Sequence, residues 1–339
     1  MTDKNALLAG GGGAMAGRSW KEVDLRAVAP FVALALLLVF GAATSANFLS
    51  TENLLNVLAR SAFTAIIAVG ATFVISAGGL DLSVGAMVAF VASLMILFMN
   101  TAIIANPVLM LTAGIAFALV IGALCGLANG LIITGGRIEP FIATLGTMGI
   151  FRGLTTWLSQ GGAINLKSST IEDIYRPAYF GTVLGVPVPI MIIVITAIVG
   201  AFLLHRTAYG RHVAAIGSNP DVARYSGVSI SRVRTLTYVI QGVCVAIAVL
   251  LYVPRLGSTS ATTGLMWELQ AITAVVVGGT ALRGGVGRIW GTICGAFILE
   301  VVSNIMVLSN IASEYLIGAI QGAIIIIAML VQRSLIRKS

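Results

Sequence analysis

Long apolar runs separated by short polar breaks fill the chain from Ala27 almost to its last residues. A bilayer-spanning helix needs about 20 predominantly apolar residues. Ten runs have that character: 27–43, 54–77, 82–99, 108–134, 140–158, 187–205, 235–253, 267–282, 289–308 and 314–332. Apolar runs of this length predict helices rather than strands. The pattern predicts an all-α polytopic membrane protein of about ten transmembrane helices. Residues 1–26 are polar and Gly-rich and predict a flexible tail, 27–332 a single transmembrane domain, and 333–339 a short C-terminal tail. Thr44-Ser45-Ala46 has some likeness to a leader cleavage site. The region ahead of the first run is long and carries acids, so that run is read as the first span.

Composition removes the soluble alternatives. Hydrophobic residues make up 58% and charged residues 9%, against roughly 25% charged in a soluble domain. A net charge of +8 suggests nucleic acid only if the basic residues share a patch, and here they sit at the ends of apolar runs. With both tails in the cytoplasm, 15 of the 20 Lys and Arg fall inside and only Lys167, Arg176 and Arg255 outside. The positive-inside rule therefore predicts an N-in, C-in inner-membrane protein. Cys125, Cys244 and Cys294 lie in apolar stretches with no disulfide or metal spacing, and His205 and His212 flank a span, so no metal site is expected.

Asp81 is the one charged residue between Arg60 and Arg137. An ionised carboxylate in such surroundings needs a partner, water or a function. The number of spans suggests two five-helix halves related by inversion. Asn129 and Glu139 match Asn304 and Glu314 at an offset of 175, and Leu80-Asp81-Leu82-Ser83 resembles Trp267-Glu268-Leu269-Gln270 at an offset of 187. An indel of 12 residues near 100–107 would reconcile the two offsets. Asp81 and Glu268 would then begin short, Gly-interrupted spans from opposite faces, the pattern that marks a translocation site. Two readings stand for Asp81: it caps a broken helix, with Gly78 and Gly79 leaving room for backbone N–H bonds, or it also meets the transported molecule. The candidate pathway set is Asp81, Ser83, Asn129, Arg152, Glu268, Gln270 and Asn304. Arg152, inside the fifth run, is a functional suspect, with pairing to Asp81 or Glu139, or snorkelling outward, as the structural alternatives. Aromatic residues are scattered, which predicts no sugar-stacking cluster.

The longest polar interruption on the cytoplasmic side, 205–234, contains Ser-Asn-Pro-Asp-Val-Ala-Arg-Tyr-Ser-Gly. Asn219 suits an N-cap, Pro220 the first helical position, Asp221 the positive helix end and Gly227 a left-handed C-cap. A short helix at 220–226 is predicted there, as a docking element or as a helix lying on lipid headgroups. No GxxxxGK[ST] occurs in the chain, so it cannot hold ATP in a P-loop. Gly10–Gly13 and Gly284–Gly287 lack the required Lys, and close packing or tight turning accounts for such glycines.

Taken together, GGLDLSVG (78–85), the NG…R…PFIATLGTM stretch (129–148), RG (152–153), YGRHVAAIGSNPDVARYSGV (209–228) and GGTALRGGVGRIWGT (278–292) resemble the permease subunits of bacterial ABC sugar importers of the ribose, xylose, arabinose and galactose type. The resemblance runs from about Asn47 to the end. Arg283 departs from it, standing where that family usually has a small or apolar residue. The resemblance implies a homodimer in the membrane, a cytoplasmic ATPase that binds ATP and Mg, and a periplasmic sugar-binding protein docking on 159–186 and 255–265. It implies that Gly210, Arg211, Gly217, Asn219, Pro220, Asp221, Ala223, Arg224 and Gly227 seat in the ATPase. The chain itself is then a transport subunit for a monosaccharide, not an enzyme, and carries no cofactor. An ion-coupled secondary transporter using Asp81, Glu139, Glu268 or Glu300 is the rival class. Nucleoside, autoinducer-2 and branched-chain amino-acid permeases are alternatives within the ABC class.

Overall fold

The computed structural model describes residues 25–309 and, beyond them, 316, 318–320, 322, 323 and 326. Most of the tenth run, Glu314 and most of both tails lie outside the described residues. The first elements are α1 (Leu25–Thr44), α2 (Thr51–Arg60), α3 (Ala62–Ser76), α4 (Val84–Asn100), α5 (Pro107–Gly136) and α6 (Pro140–Ser159). Then come β1 (Ala163–Asn165), α7 (Ser169–Tyr175), α8 (Pro177–Phe180), β2 (Thr182–Val183) and β3 (Val186–Pro187). The remainder is α9 (Val188–Arg206), α10 (Ala208–Ser218), α11 (Pro220–Tyr225), α12 (Ile230–Leu256), β4 (Ser258–Ser260), α13 (Trp267–Val277) and α14 (Ile289–Ser309).

The protein is a helical, multi-pass membrane protein. Among the described residues, α5, α9, α12 and α14 are long and apolar enough to cross a bilayer singly. Two of the runs read as continuous spans are interrupted. The run 54–77 is two helices, α2 and α3, bent by 42°, with Ser61 at the joint. The run 267–282 is helical only to Val277.

The centre of the bundle is the antiparallel pair α5 and α12, flanked by α3 and α4. Small residues set the distance. A Cβ on Gly122 would lie 2.4 Å from the Gly242 carbonyl oxygen, and one on Gly126 would lie 2.1 Å from that of Tyr238. Backbones this close gain dispersion contacts along their length, which is how helices associate where no hydrophobic drive separates them from lipid. Polar side chains add cross-helix bonds: Thr134 with Thr235 at 3.1 Å, Thr72 with Thr292 at 2.9 Å, and Gln241 Nε2 donating to the Ile67 carbonyl at 3.3 Å. The three cysteines are buried and free.

Two helices, α3 and α13, use the same ending. At α3, Gly78 N–H bonds the Ile75 carbonyl and Gly79 N–H bonds that of Val74, with Gly78 at φ +76°. At α13, Gly279 N–H bonds the Val276 carbonyl and Thr280 N–H that of Val275, with Gly279 at φ +83°. This left-handed glycine ending satisfies carbonyls that would otherwise be orphaned in an apolar setting. The interrupted segments pack on the core, α3 against α13 and α4 against α12.

One end of the bundle carries α10 and α11, and the other carries β1 paired antiparallel with β4, α7, α8 and the β2–β3 hairpin. Inserting a side chain at the tight crossing separates the central helices, an overpacking cost of about 1–3 kcal/mol. Gly242→Val should lower the thermal midpoint in detergent, read by size-exclusion fluorescence. Gly146→Val on α6, where nothing lies within 4 Å of an added Cβ, should leave it unchanged. Equal midpoints for the two variants would refute the packing account.

Candidate functional site

The seven-residue break between α3 and α4, residues 77–83, holds the residue that the sequence singled out. Asp81 Oδ1 accepts from the backbone N–H of Ser83 at 2.9 Å and from its hydroxyl at 2.6 Å. Asn129, projecting from α5, donates to Ser83 Oγ at 2.8 Å and lies at 3.5 Å from Asp81 Oδ2. Asp81 thus holds Ser83, the N-cap residue of α4, without bonding an N–H group of the helix itself. The Tyr238 hydroxyl donates to the Leu80 carbonyl at 3.2 Å, and Thr144 Oγ1 accepts from Leu82 N–H at 3.2 Å. The break is therefore tied to α5, α6 and α12. Asp81 is 5% exposed, and Ser83 and Asn129 are fully buried. In this conformation the three hold the break together and present nothing to a passing molecule.

Directly beside this, the starts of α4 and α13 meet. A Cβ at Gly85 would stand 2.2 Å from the Gly264 carbonyl oxygen and 2.4 Å from Glu268 Oε2. Two helix N-termini, each the positive end of a dipole, converge on the carboxylate of Glu268, whose Oε2 is buried without a hydrogen-bond partner. Arg152 on α6 donates to the carbonyls of Ala261 and, at 2.6 Å, Thr263. It pairs with neither Asp81 nor Glu139. It fixes the non-helical strap 261–266 that leads into α13.

Asp81 precedes the helix α4, and Glu268 lies in the first turn of the short helix α13. The register read from sequence fails. The helices start at Val84 and Trp267, 183 apart, and the next pair start at Pro107 and Ile289, 182 apart. Leu80–Ser83 lies in a loop while Trp267–Gln270 lies in a helix, and no indel near 100–107 is needed. Gln270 and Asn304 are not part of the site. Gln270 accepts from Thr64 at 3.4 Å, and Asn304 exchanges bonds with Asn53 at 2.9 and 3.0 Å.

The scattered aromatics also converge, contrary to expectation. Phe63 stacks on Trp267 at 5.5 Å and on Tyr179 at 5.8 Å, and Tyr252 meets Trp267 edge-on at 5.8 Å. Arg255 lies over Phe63 and Tyr179 at 5.4 and 5.3 Å. A cavity of about 140 Å³ adjoins this cluster, lined also by Gln270 and the Arg60–Glu300 ion pair at 3.1 Å.

At the far end, α11 is specified as its sequence indicates. Asn219 Oδ1 accepts from the N–H groups of Asp221 and Val222 at 3.0 and 3.1 Å. Gly227, at φ +80°, closes it: Gly227 N–H bonds the Arg224 carbonyl and Val228 N–H that of Ala223. Asp221 and Arg224 pair at 3.6 Å. Val222 and Tyr225, not picked out in the sequence, are 59% and 90% exposed. An outward valine and tyrosine on a short, doubly capped helix were the available signal.

Three of the residues assigned to an outside partner face inward instead. Ala223 is 3% exposed. A Cβ on Gly210 would lie 1.9 Å from the Leu204 carbonyl oxygen, and one on Gly217 would lie 1.9 Å from that of Ser76. Gly210 and Gly217 belong to α10, a helix the sequence reading missed. Tyr209 of α10 stacks on Phe73 of α3 at 6.2 Å, and burial pushes its hydroxyl well above the usual tyrosine range. Gly285 N–H bonds the Ser76 carbonyl at 2.9 Å. The ends of α3 and α10 and the 281–288 turn are therefore one packed junction, made possible by glycine at Gly217, Gly284 and Gly285.

Asn129→Leu removes donors from a buried carboxylate and hydroxyl, a loss of about 1–3 kcal/mol. Its thermal midpoint in detergent should fall below that of Asn304→Leu, which breaks only the partly buried Asn53 pair. The reverse order would contradict the role given to Asn129.

Residues 53–329 match the family described as branched-chain amino acid transport system / permease component. The ribose import permease protein RbsC of Haemophilus influenzae is 37% identical over 88% of this chain and 91% of its own length. RbsC of Bacillus subtilis is 39% identical over 91% and 93%. The xylose transport system permease protein XylH of Escherichia coli K12 is 30% identical over 94% of each. With four-fifths of its length inside that match and relatives this similar from end to end, the chain belongs to this family of transport-system permease components.

Proposed function

We propose that the chain is the membrane permease subunit of an ATP-driven importer of a monosaccharide. The observation that carries this reading is α11, capped at both ends and presenting Val222 and Tyr225 outward. A transporter working alone has no use for such a docking element. The names of the relatives, which specify ribose, allose and xylose, support a sugar over an amino acid.

In this reading ten spans cross the membrane with both tails inside, in line with the distribution of Lys and Arg. A separate ATPase, holding ATP and Mg, seats Val222, Tyr225, Arg211, Asn219, Pro220, Asp221 and Arg224. This chain then has no catalytic or nucleotide-binding role. A binding protein delivers sugar at the opposite end, on 159–186 and 255–265, where Leu184 at the hairpin tip is fully exposed. A second copy covers α6, whose Ile142, Ile150 and Trp157 are 62%, 57% and 74% exposed, with the sugar path alongside.

The mechanism follows the packing. A push on α11 passes through α10 to the junction at Gly217, Ser76 and Gly285. From there it divides into α3 and into the turn joining α13 to α14. Both routes end where α4 and α13 meet at Gly85 and Gly264. Asp81, Ser83 and Asn129 act here as the latch of one broken span, and Arg152 as that of the other. Glu268, between the latches, is the group that an opening movement would present to sugar hydroxyls.

The deciding experiment is a gentle pull-down of tagged protein from its native membranes, with an ATPase assay and uptake of labelled ribose, xylose and leucine. ATPase activity should co-purify and be lost in Gly227→Arg and Asp221→Arg, with expression intact and pentose uptake reduced at least about tenfold. Protein that comes alone, with uptake collapsing alongside the proton gradient instead of ATP, would establish ion coupling and overturn the proposal.

A further inference from the structure

The α5–α6 turn, α11 and the first turn of α12 enclose a cavity of about 350 Å³. Arg137, Arg224 and Arg234 line it, with Glu139 as the one carboxylate among its walls and Ser231 as a hydroxyl. Arg224 is partly engaged by Asp221 outside the cavity. Arg137 closes α5 in the left-handed conformation, at φ +53°, so the backbone fixes where its side chain departs. Arg234 Nε is buried with no hydrogen-bond partner. A buried donor left unmade is costly, and this one belongs to a side chain in the wall of a cavity already rich in positive charge.

The backbone adds to the same field. The 27-residue helix α12 starts at the cavity wall with Ile230 and Ser231, and the side chain of its N-cap, Ser229, makes no capping bond. Its first turn, with the positive end of the helix dipole, therefore lies at the cavity wall. Glu139, the N-cap of α6, likewise makes no side-chain cap bond. Guanidinium forks and free helix N–H groups are the donors that a phosphate group accepts from most favourably. Beside the cavity, Ile138, Phe141 and Ile142 are 41%, 51% and 62% exposed, an apolar rim at the level where the spans end.

We infer that this cavity is a binding site for a phosphate group, supplied by an anionic phospholipid headgroup or by a free phosphate. The phosphate bridges Arg137 and Arg234 and accepts from the start of α12, while an acyl chain, where the source is a lipid, lies along Ile138 and Phe141. Because Arg224 belongs to α11, an occupied site ties α11 to α12 and to the α5–α6 turn. The inference does not depend on what the protein transports.

The test is native mass spectrometry of the full-length protein released from micelles containing equal parts phosphatidylglycerol and phosphatidylcholine, paired with thermal shift in inorganic phosphate. Arg234→Gln and Arg137→Gln probe the cavity, the second at an exposed turn where misfolding is not a concern. Arg232→Gln, an exposed residue outside the cavity walls, removes the same charge without touching the site. Preferential retention of phosphatidylglycerol, reduced about tenfold in both cavity variants and unchanged in Arg232→Gln, assigns a lipid headgroup. Stabilisation by inorganic phosphate with the same dependence on variants, and no lipid preference, assigns a free phosphate. No preference for either, or an equal loss in Arg232→Gln, overturns the inference.

Discussion

Every backbone N–H and C=O inside an apolar bundle must find a partner within the protein. This fold breaks spans at two places and is organised around repairing them. Gly78 and Gly279 turn the ends of α3 and α13 so that their last carbonyls are met by the following N–H groups. Side chains tie down the segments beside them: Asp81, Thr144 and Tyr238 hold the loop after α3, and Arg152 holds the strap that leads into α13. Remove the repairs and the breaks become unsatisfied polar backbone in hydrocarbon. With them, two short helices can meet end to end in the interior.

That arrangement explains the distribution of small residues. Neither the meeting of α4 with α13 nor the crossing of α5 with α12 leaves room for a Cβ, and glycine stands at each contact. At the α11 end the same device joins three chain segments around Gly217. The protein thus combines loose surfaces, such as the outward face of α6, with a few contacts at the limit of backbone approach.

What the sequence disclosed depended on how local the signal was. The helix at 220–225 was legible because Asn219, Pro220 and Gly227 act on their own neighbours. Asp81 was legible as an anomaly of charge, and Ser83 and Asn129 were chosen with it, but their mutual bonds were not, since 46 residues separate the latter two. Arg152 stands out as a charge within a span, but its acceptors are backbone carbonyls, which carry no side-chain signature. Gly210 and Gly217 were read as facing outward because a glycine does not declare which side it accommodates. Helix α10 went unseen although Tyr209, Val213 and Ile216 fall at helical spacing. Phe63, Tyr179, Tyr252 and Trp267 form a cluster from four distant segments, which only the tertiary fold assembles. Whole spans were read well where apolar length sufficed and poorly where a break fell inside one, at Ser61 and after Val277.

The sulfur atoms make this molecule convenient to observe. Cys125, Cys244 and Cys294, the chain's full complement, are 6%, 5% and 3% exposed. A maleimide or spin label therefore meets no open native thiol on the folded surface. A cysteine introduced at Tyr225 or Leu184 would carry a probe into a nearly silent background, so distances between the two ends of the bundle can be followed without first stripping the protein of its own cysteines.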